Sequence, residues 1–257
     1  MNRILLLGDP VSRSLSPEMQ NAAFEALGID CRYVLREVTR ADLAGAMADL
    51  RGDEGILGAN VTIPHKESVI AFLDDLDPLA ARIGAVNTIS RQGARLKGWN
   101  TDVAGFQRAL HEQFPSPLRG EGQGGGSVAL LGAGGAARAV AAALQASAEI
   151  WVIARKLQQA RQLCQDLDIE RGGPVDISQM QETIAEAHLV VNATPADLPP
   201  PSWLRPEQRL FDLRSRRSGE GRAMLLHQGA ASFEIWTGRT APVDVMRQAL
   251  DRASVPA

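Results

Sequence analysis

The chain has 257 residues, a formal net charge of −3, 45% hydrophobic and 22% charged residues, which fits a globular protein with room for two modest domains. The mildly acidic balance argues against a dedicated nucleic-acid binder, though not against a local cationic pocket. Cys31 and Cys164 are the only cysteines and form no CxxC pair, so neither a disulfide framework nor a metal site is expected.

The apolar run at 4–7 is too short for a signal segment or a membrane span, and the expected location is the cytoplasm. That run ends in Gly8-Asp9-Pro10 and predicts a short buried strand followed by a turn. Ser16-Pro17 predicts a helix with Ser16 as N-cap, stopped by Gly28. A strand is expected over 32–38. Thr39 with Asp42 predicts a box-capped second helix, followed by Gly52. A strand over 56–61 and a helix from Pro64 to residue 73 come next, then a hairpin of 85–90 and 94–98 around Gln92-Gly93. A helix is expected over 102–114, and the proline- and glycine-rich stretch 115–127 reads as a linker. Strand 127–131, turn 132–135, helix 136–146, strand 149–154 and helix 155–167 follow. Strands at 189–193 and 209–213 and helices at 224–236 and 243–253 complete the α/β pattern.

Gly132-Ala133-Gly134-Gly135-Ala136-Ala137, between a predicted strand and helix, is the GxGxxA form of a dinucleotide fingerprint. Gly132 permits the tight turn, Gly134 lets pyrophosphate approach the backbone, and Ala137 lets helix and strand pack closely. At the end of the next strand an acid would select NAD. Here Ala154-Arg155-Lys156 offers two cations, which suit the 2′-phosphate of NADP or a solvated first helical turn.

Four further segments gather polar groups beside glycine or proline: Ser14 to Pro17, Gly58 to Lys66, Gly84 to Thr88 and Gly98 to Asp102. Serines, threonines, asparagines and one Lys–Asp pair would suit a small polyhydroxylated acid. Each residue also has a plainer reading. Lys66 could be a solvated lysine, Asp102 a helix N-cap, Asn87 a turn residue and Gln228 a solvent-facing one. His65, His111, His188 and His227 show no ligand spacing and read as structural or exposed.

With these segments, Asn192-Ala193-Thr194-Pro195 and Met224 to Ala230, the chain resembles the shikimate dehydrogenase family over nearly its whole length. The resemblance implies a split α/β substrate domain, residues 1–101 completed by 223–257, around a Rossmann NADP-binding domain, residues 102–222. It implies reversible NADPH-dependent reduction of 3-dehydroshikimate to shikimate by a monomer or homodimer, with no nucleic-acid or membrane partner. Ser14 and Ser16 would hold the substrate carboxylate. Asn60, Thr62, Asn87, Thr101 and Gln228 would bind ring hydroxyls or orient neighbours, and Lys66 and Asp102 would be the catalytic pair. Gly132, Ala133, Gly134, Gly135, Ala136, Arg155, Lys156, Asn192, Thr194 and Met224 would lie along NADP. A lysine there can protonate the carbonyl oxygen that a hydride converts to an alkoxide.

The chain departs from the family pattern in places. Arg13 stands for a histidine, Ala154 for an asparagine, and Lys156 for a threonine or serine. After Phe211-Asp212-Leu213 the family continues with a tyrosine, a proline and a further strand, whereas here 214–222 runs straight into Met224. The only tyrosine is Tyr33. The loss predicts a wetter cleft and weaker turnover. Arg214, Arg216, Arg217 and Arg222 could close over phosphate or acid, or form a solvated loop. Two other functions fit these features: a quinate or other cyclohexane-carboxylate dehydrogenase, and a non-catalytic NADP(H)-binding paralogue.

Overall fold

Ile4 to Leu7 are all buried, so Asn2–Gly8 (β1) is covered on both faces, the setting of a central strand. The computed structural model describes residues 1–114, 126–214 and 218–253. Its chain divides into two units, Met1–Gly105 with Leu225–Ala257, and Phe106–Met224.

In the first unit Ser16–Ala26 (α1) starts on Ser16 itself. Leu15 is the N-cap, and the Ser16 hydroxyl accepts from Ser14 instead of capping, which corrects the expected N-cap. Cys31–Glu37 (β2) and Ile56–Val61 (β3) flank β1 in parallel. Leu43–Gly52 (α2) between them carries no side-chain cap, because the Thr39 hydroxyl is spent on the Asp42 carboxylate, 2.5 Å away. The helix expected from Pro64 does not form. The Lys66 carbonyl accepts from the Val86 N–H at 2.7 Å and is lost to any helical ladder, leaving a turn and the 3-10 stretch Ser68–Phe72. Asp75–Leu76 (β4) and Pro78–Ile83 (α3) lead to the hairpin Thr88–Gln92 (β5) and Arg95–Trp99 (β6), turned at Gly93 with φ +59°. The sheet order is β2-β1-β3-β5-β6-β4. Asp102–Gln113 (α4) follows. The expected linker 115–127 lies outside the described residues as far as 125, and Ser127 belongs to the next strand.

The second unit alternates strand and helix. Ser127–Leu131 (β7), Gly135–Leu144 (α5), Glu149–Ile153 (β8) and Leu157–Asp166 (α6) are followed by Gly172–Val175 (β9), Met180–Glu186 (α7), Leu189–Asn192 (β10) and Arg209–Asp212 (β11). Its five strands are all parallel in the order β11-β10-β7-β8-β9. The order reverses between β7 and β10, the switch point at which open α/β sheets bind ligands.

Gly219–Thr237 (α8) begins before the expected Met224, because Ser218 Oγ caps it by accepting from the Gly221 N–H at 2.8 Å. With Val243–Ala253 (α9) it completes the first unit's core. Phe233, Met246 and Leu250 pack with Met19, Ala23 and Phe24 of α1 on one sheet face. On the other face, Ala46, Met47 and Leu50 of α2 pack with Leu5, Leu7 and Ala59.

Two glycines give opposite expectations for one substitution. Gly45 is exposed within α2 with open space around it, so Gly45→Ala should stabilise by up to about 1 kcal/mol through helix propensity. At Gly105 in α4 a β-carbon would sit 2.7 Å from Gln228 Cβ and 2.8 Å from its backbone nitrogen. Overpacking costs of about 1–3 kcal/mol outweigh the propensity gain there. Thermal melts should show Gly45→Ala unchanged or raised and Gly105→Ala lowered by a few degrees. A raised melting temperature for Gly105→Ala would refute the close helix crossing.

Candidate active site

The turn after β3 delivers Lys66, and the start of α4 delivers Asp102. Lys66 Nζ lies 2.6 Å from Asp102 Oδ2, with side chains 14% and 5% exposed. Asp102 is not the helix cap: its N–H is accepted by Asn100 Oδ1 at 3.1 Å, which leaves the carboxylate for other partners. Its second oxygen, Oδ1, accepts from Asn87 Nδ2 at 2.9 Å. A carboxylate this buried requires such partners.

Backbone partners settle the amide orientations around the pair. The Thr101 N–H donates to Asn87 Oδ1 at 2.8 Å, so Asn87 Nδ2 must face Asp102. The same nitrogen reaches Thr101 Oγ1 at 2.9 Å and Gln228 Oε1 at 3.2 Å. Gln228 is thereby oriented, with Nε2 donating to the Leu225 carbonyl at 3.0 Å. It is half-buried and turned toward Asn87, not toward solvent. Asn60 is 5% exposed, with Oδ1 accepting from Tyr33 and Nδ2 facing the Asn87 carbonyl, Thr88 Oγ1 and Ser232 Oγ at 3.0–3.1 Å. Its amide is fully engaged by protein, which makes it an orienting group.

Ser14 Oγ donates to Ser16 Oγ at 3.1 Å and accepts from the Ser16 N–H, so two hydroxyls stand side by side at the start of α1. The Thr62 hydroxyl, half-buried after β3, makes no hydrogen bond among the described residues. His65 is fully buried with Nε2 2.6 Å from the Val38 carbonyl, a structural contact beside Lys66. Among the described residues there is no cluster of His, Cys, Asp and Glu fit for a metal, and no helix long and apolar enough to cross a membrane.

In the second unit, Gly132 has φ +114°, a conformation glycine alone takes easily. Gly134 precedes α5 with open space where a side chain would be, and nothing caps the helix N-terminus. Ala133 and Ala136 flank Gly134 and Gly135 half-buried, and Ala137 packs into the core. Arg155 and Lys156 lie before α6 rather than in its first turn; both are exposed and unpaired among the described residues. Asn192, fully buried at the end of β10, accepts from the Thr194 N–H at 3.0 Å and its hydroxyl at 2.7 Å. That loop lies against Gly132, where a β-carbon would stand 3.2 Å from Thr194 Cγ2. Met224 is 6% exposed and packed in this unit's core, inside α8 rather than at its start.

Tyr33, Thr88, Asn100 and Ser232 belong to the polar network although sequence reasoning did not single them out as site residues. Ser232 Oγ lies 2.8 Å from Thr88 Oγ1 and 3.2 Å from Thr101 Oγ1, and donates to the Gln228 carbonyl at 3.0 Å. Its position four residues after Gln228 was the available signal, since that spacing shares a helix face. Tyr33 carried no such signal. Of the arginines that could close over a ligand, Arg214 grips Asp212 through Nε at 2.9 Å and also pairs with Asp197. Arg216 and Arg217 lie outside the described residues.

Family models match three stretches: the shikimate dehydrogenase substrate binding domain at residues 6–89, shikimate/quinate 5-dehydrogenase at 121–200, and the shikimate 5′-dehydrogenase C-terminal domain at 221–250. The shikimate dehydrogenase (NADP(+)) of Moorella thermoacetica is 42% identical, covering 97% of this chain and 92% of that one. The solved shikimate 5-dehydrogenase of Thermus thermophilus, in complex with NADP(H) and shikimate, matches with a TM-score of 0.81 and 36% identity over 98% of this chain and all of that one. Quinate dehydrogenase from Corynebacterium glutamicum, in complex with NAD, matches with a TM-score of 0.83 at 27% identity, over 98% and 99% of the two chains. Two polar constellations on two α/β units, and likeness along nearly the whole chain, agree: this protein belongs to the shikimate dehydrogenase family.

Proposed function

We propose that this protein reversibly reduces 3-dehydroshikimate to shikimate with NADPH, acting in the cytoplasm as a monomer or homodimer on small molecules alone. The observation that carries the reading is the 2.6 Å Lys66–Asp102 pair, kept in a chain 42% identical to a shikimate dehydrogenase. The pair also favours an enzyme over a protein that only binds the dinucleotide. The first unit is the substrate domain. The Ser14 and Ser16 hydroxyls, 3.1 Å apart, take the acid's carboxylate, and Thr62, Thr101, Asn87 and Gln228 receive or flank the ring hydroxyls. Lys66 gives a proton to the carbonyl oxygen in reduction and removes one from the alcohol in oxidation. Asp102, held by Asn87, aims the ammonium.

The second unit suits a dinucleotide. The positive-φ Gly132, the open space at Gly134 and the uncapped start of α5 offer free N–H groups to a pyrophosphate. Asn192 and Thr194 border that turn, and the unpaired Arg155 and Lys156 suit a 2′-phosphate. Bound NADPH supplies the hydride. Likeness to a quinate dehydrogenase supports a second reading, a quinate or related cyclohexane-carboxylate substrate.

Absorbance at 340 nm during incubation of shikimate or quinate with NADP or NAD tests the reading. Shikimate with NADP should be turned over fastest, and no rise with any pair would refute it. Lys66→Ala should lower kcat by about 10²–10⁴-fold while leaving NADP affinity intact; near-normal kcat would end the role given to Lys66. Arg155→Ala should weaken NADP by about 10- to 100-fold, from the loss of one charge-assisted contact, and leave NAD nearly unchanged. Equal losses for both cofactors would show that Arg155 acts on the shared part of the dinucleotide.

A further inference from the structure

The chain's single tyrosine lies on β2, away from the turns that carry the site motifs. Tyr33 pairs with Ile4 of β1 and is buried to 1% exposure. Its ring stands 6.2 Å from that of Trp236 on α8. The hydroxyl donates to Asn60 Oδ1 at 2.9 Å. Burial pushes the phenol far above its usual range, more than the Ser16 hydroxyl beside it lowers it, so the group remains a donor.

This donor satisfies Asn60 Oδ1 and so holds the amide in the orientation that the Asn87 carbonyl requires. With Oδ1 on the phenol, Nδ2 points to the Asn87 carbonyl, Thr88 Oγ1 and Ser232 Oγ, and its two hydrogens serve these three acceptors. A flipped amide would set its oxygen against the Asn87 carbonyl, an oxygen-to-oxygen contact in a buried place. Asn87 in turn holds Asp102. The polar chain therefore runs from Tyr33 through Asn60 to Asn87, Asp102 and Lys66, with the Ser16 hydroxyl beside the phenol.

We propose that Tyr33 is a positioning residue that couples the hydroxyl pair at Ser14 and Ser16 to the Lys66–Asp102 pair, by fixing the Asn60 amide between them. The proposal rests on the reading above, in which the serines take the substrate carboxylate and Lys66 moves the proton. Tyr33 touches neither substrate nor cofactor. Its hydroxyl aligns the two ends of the site that must act on one molecule, and loss of alignment falls chiefly on turnover.

Tyr33→Phe tests this, because it keeps the buried ring and removes only the hydroxyl. Steady-state kinetics with shikimate and NADP should show kcat lowered about tenfold, the shikimate KM raised severalfold and the NADP KM unchanged. In an Asn60→Leu background, where no amide remains to orient, Tyr33→Phe should have no further effect on kcat. An unchanged kcat with a lowered melting temperature would mark Tyr33 as a packing residue and overturn the proposal alone, as would a full additional loss in the Asn60→Leu background. Absence of turnover in the unaltered chain would overturn the functional reading and the proposal with it.

Discussion

The candidate site depends on one short hydrogen bond, from the Thr101 N–H to Asn87 Oδ1. A backbone N–H can only donate, so the bond leaves Asn87 Nδ2 as the group that faces Asp102 and Gln228. Asp102 then has one oxygen for Asn87 and the other for Lys66. Gln228 is drawn toward the sheet from α8, which requires the close helix crossing at Gly105. Residues just before β5, at the start of α4 and on a helix more than a hundred positions later thus share one network, whose orientation follows from donor and acceptor counts. Low local polarity raises the cost of any unmet partner and so sharpens that orientation.

Much of this was legible in the sequence because it rests on local chemistry. The glycine turn at 132–135 needs a strand before it and a helix after it, and both are there. The hairpin around Gly93 and the breaks flanking β3 follow from turn residues and strand patterning. Part of what stayed illegible was decided at long range, and part by local bonds that compete with the expected ones. The Lys66 carbonyl is captured by Val86, twenty positions on, and the helix expected from Pro64 is lost. Ser16 spends its hydroxyl on Ser14 instead of capping. Ser218 starts α8 early, within the stretch read as closing over a ligand or forming a solvated loop. The shorter α3 carries a cap signal, Asp77 accepting from the Leu79 N–H, but too little apolar periodicity to stand out. Of the network residues, Tyr33 and Asn60 meet across two strands that are not neighbours, a pairing that no spacing rule encodes.

The segment where the chain departs from its family also has a physical account. Arg214 binds the buried Asp212 at the end of β11 and reaches Asp197 in the loop after β10, the loop that holds Thr194 against the glycine turn. Asn192 secures the same loop from within, donating to the Ala196 carbonyl at 3.0 Å. Arg214, read as either closing over a ligand or lying in a solvated loop, is thus committed to the edge of its own sheet. Removing Asp212 from this cluster, in which it is 9% and Arg214 20% exposed, costs more than breaking a fully exposed pair.

The central claim is that Asn87 and Asp102 act as one unit to aim Lys66. A double-mutant cycle on kcat measures this directly, using Asn87→Ala, Asp102→Asn and both together. The account predicts large losses for each single variant and a double variant scarcely worse than the more damaging single one, because the second change removes a partner already lost. Losses that multiply would show that the two residues act independently, and would contradict it.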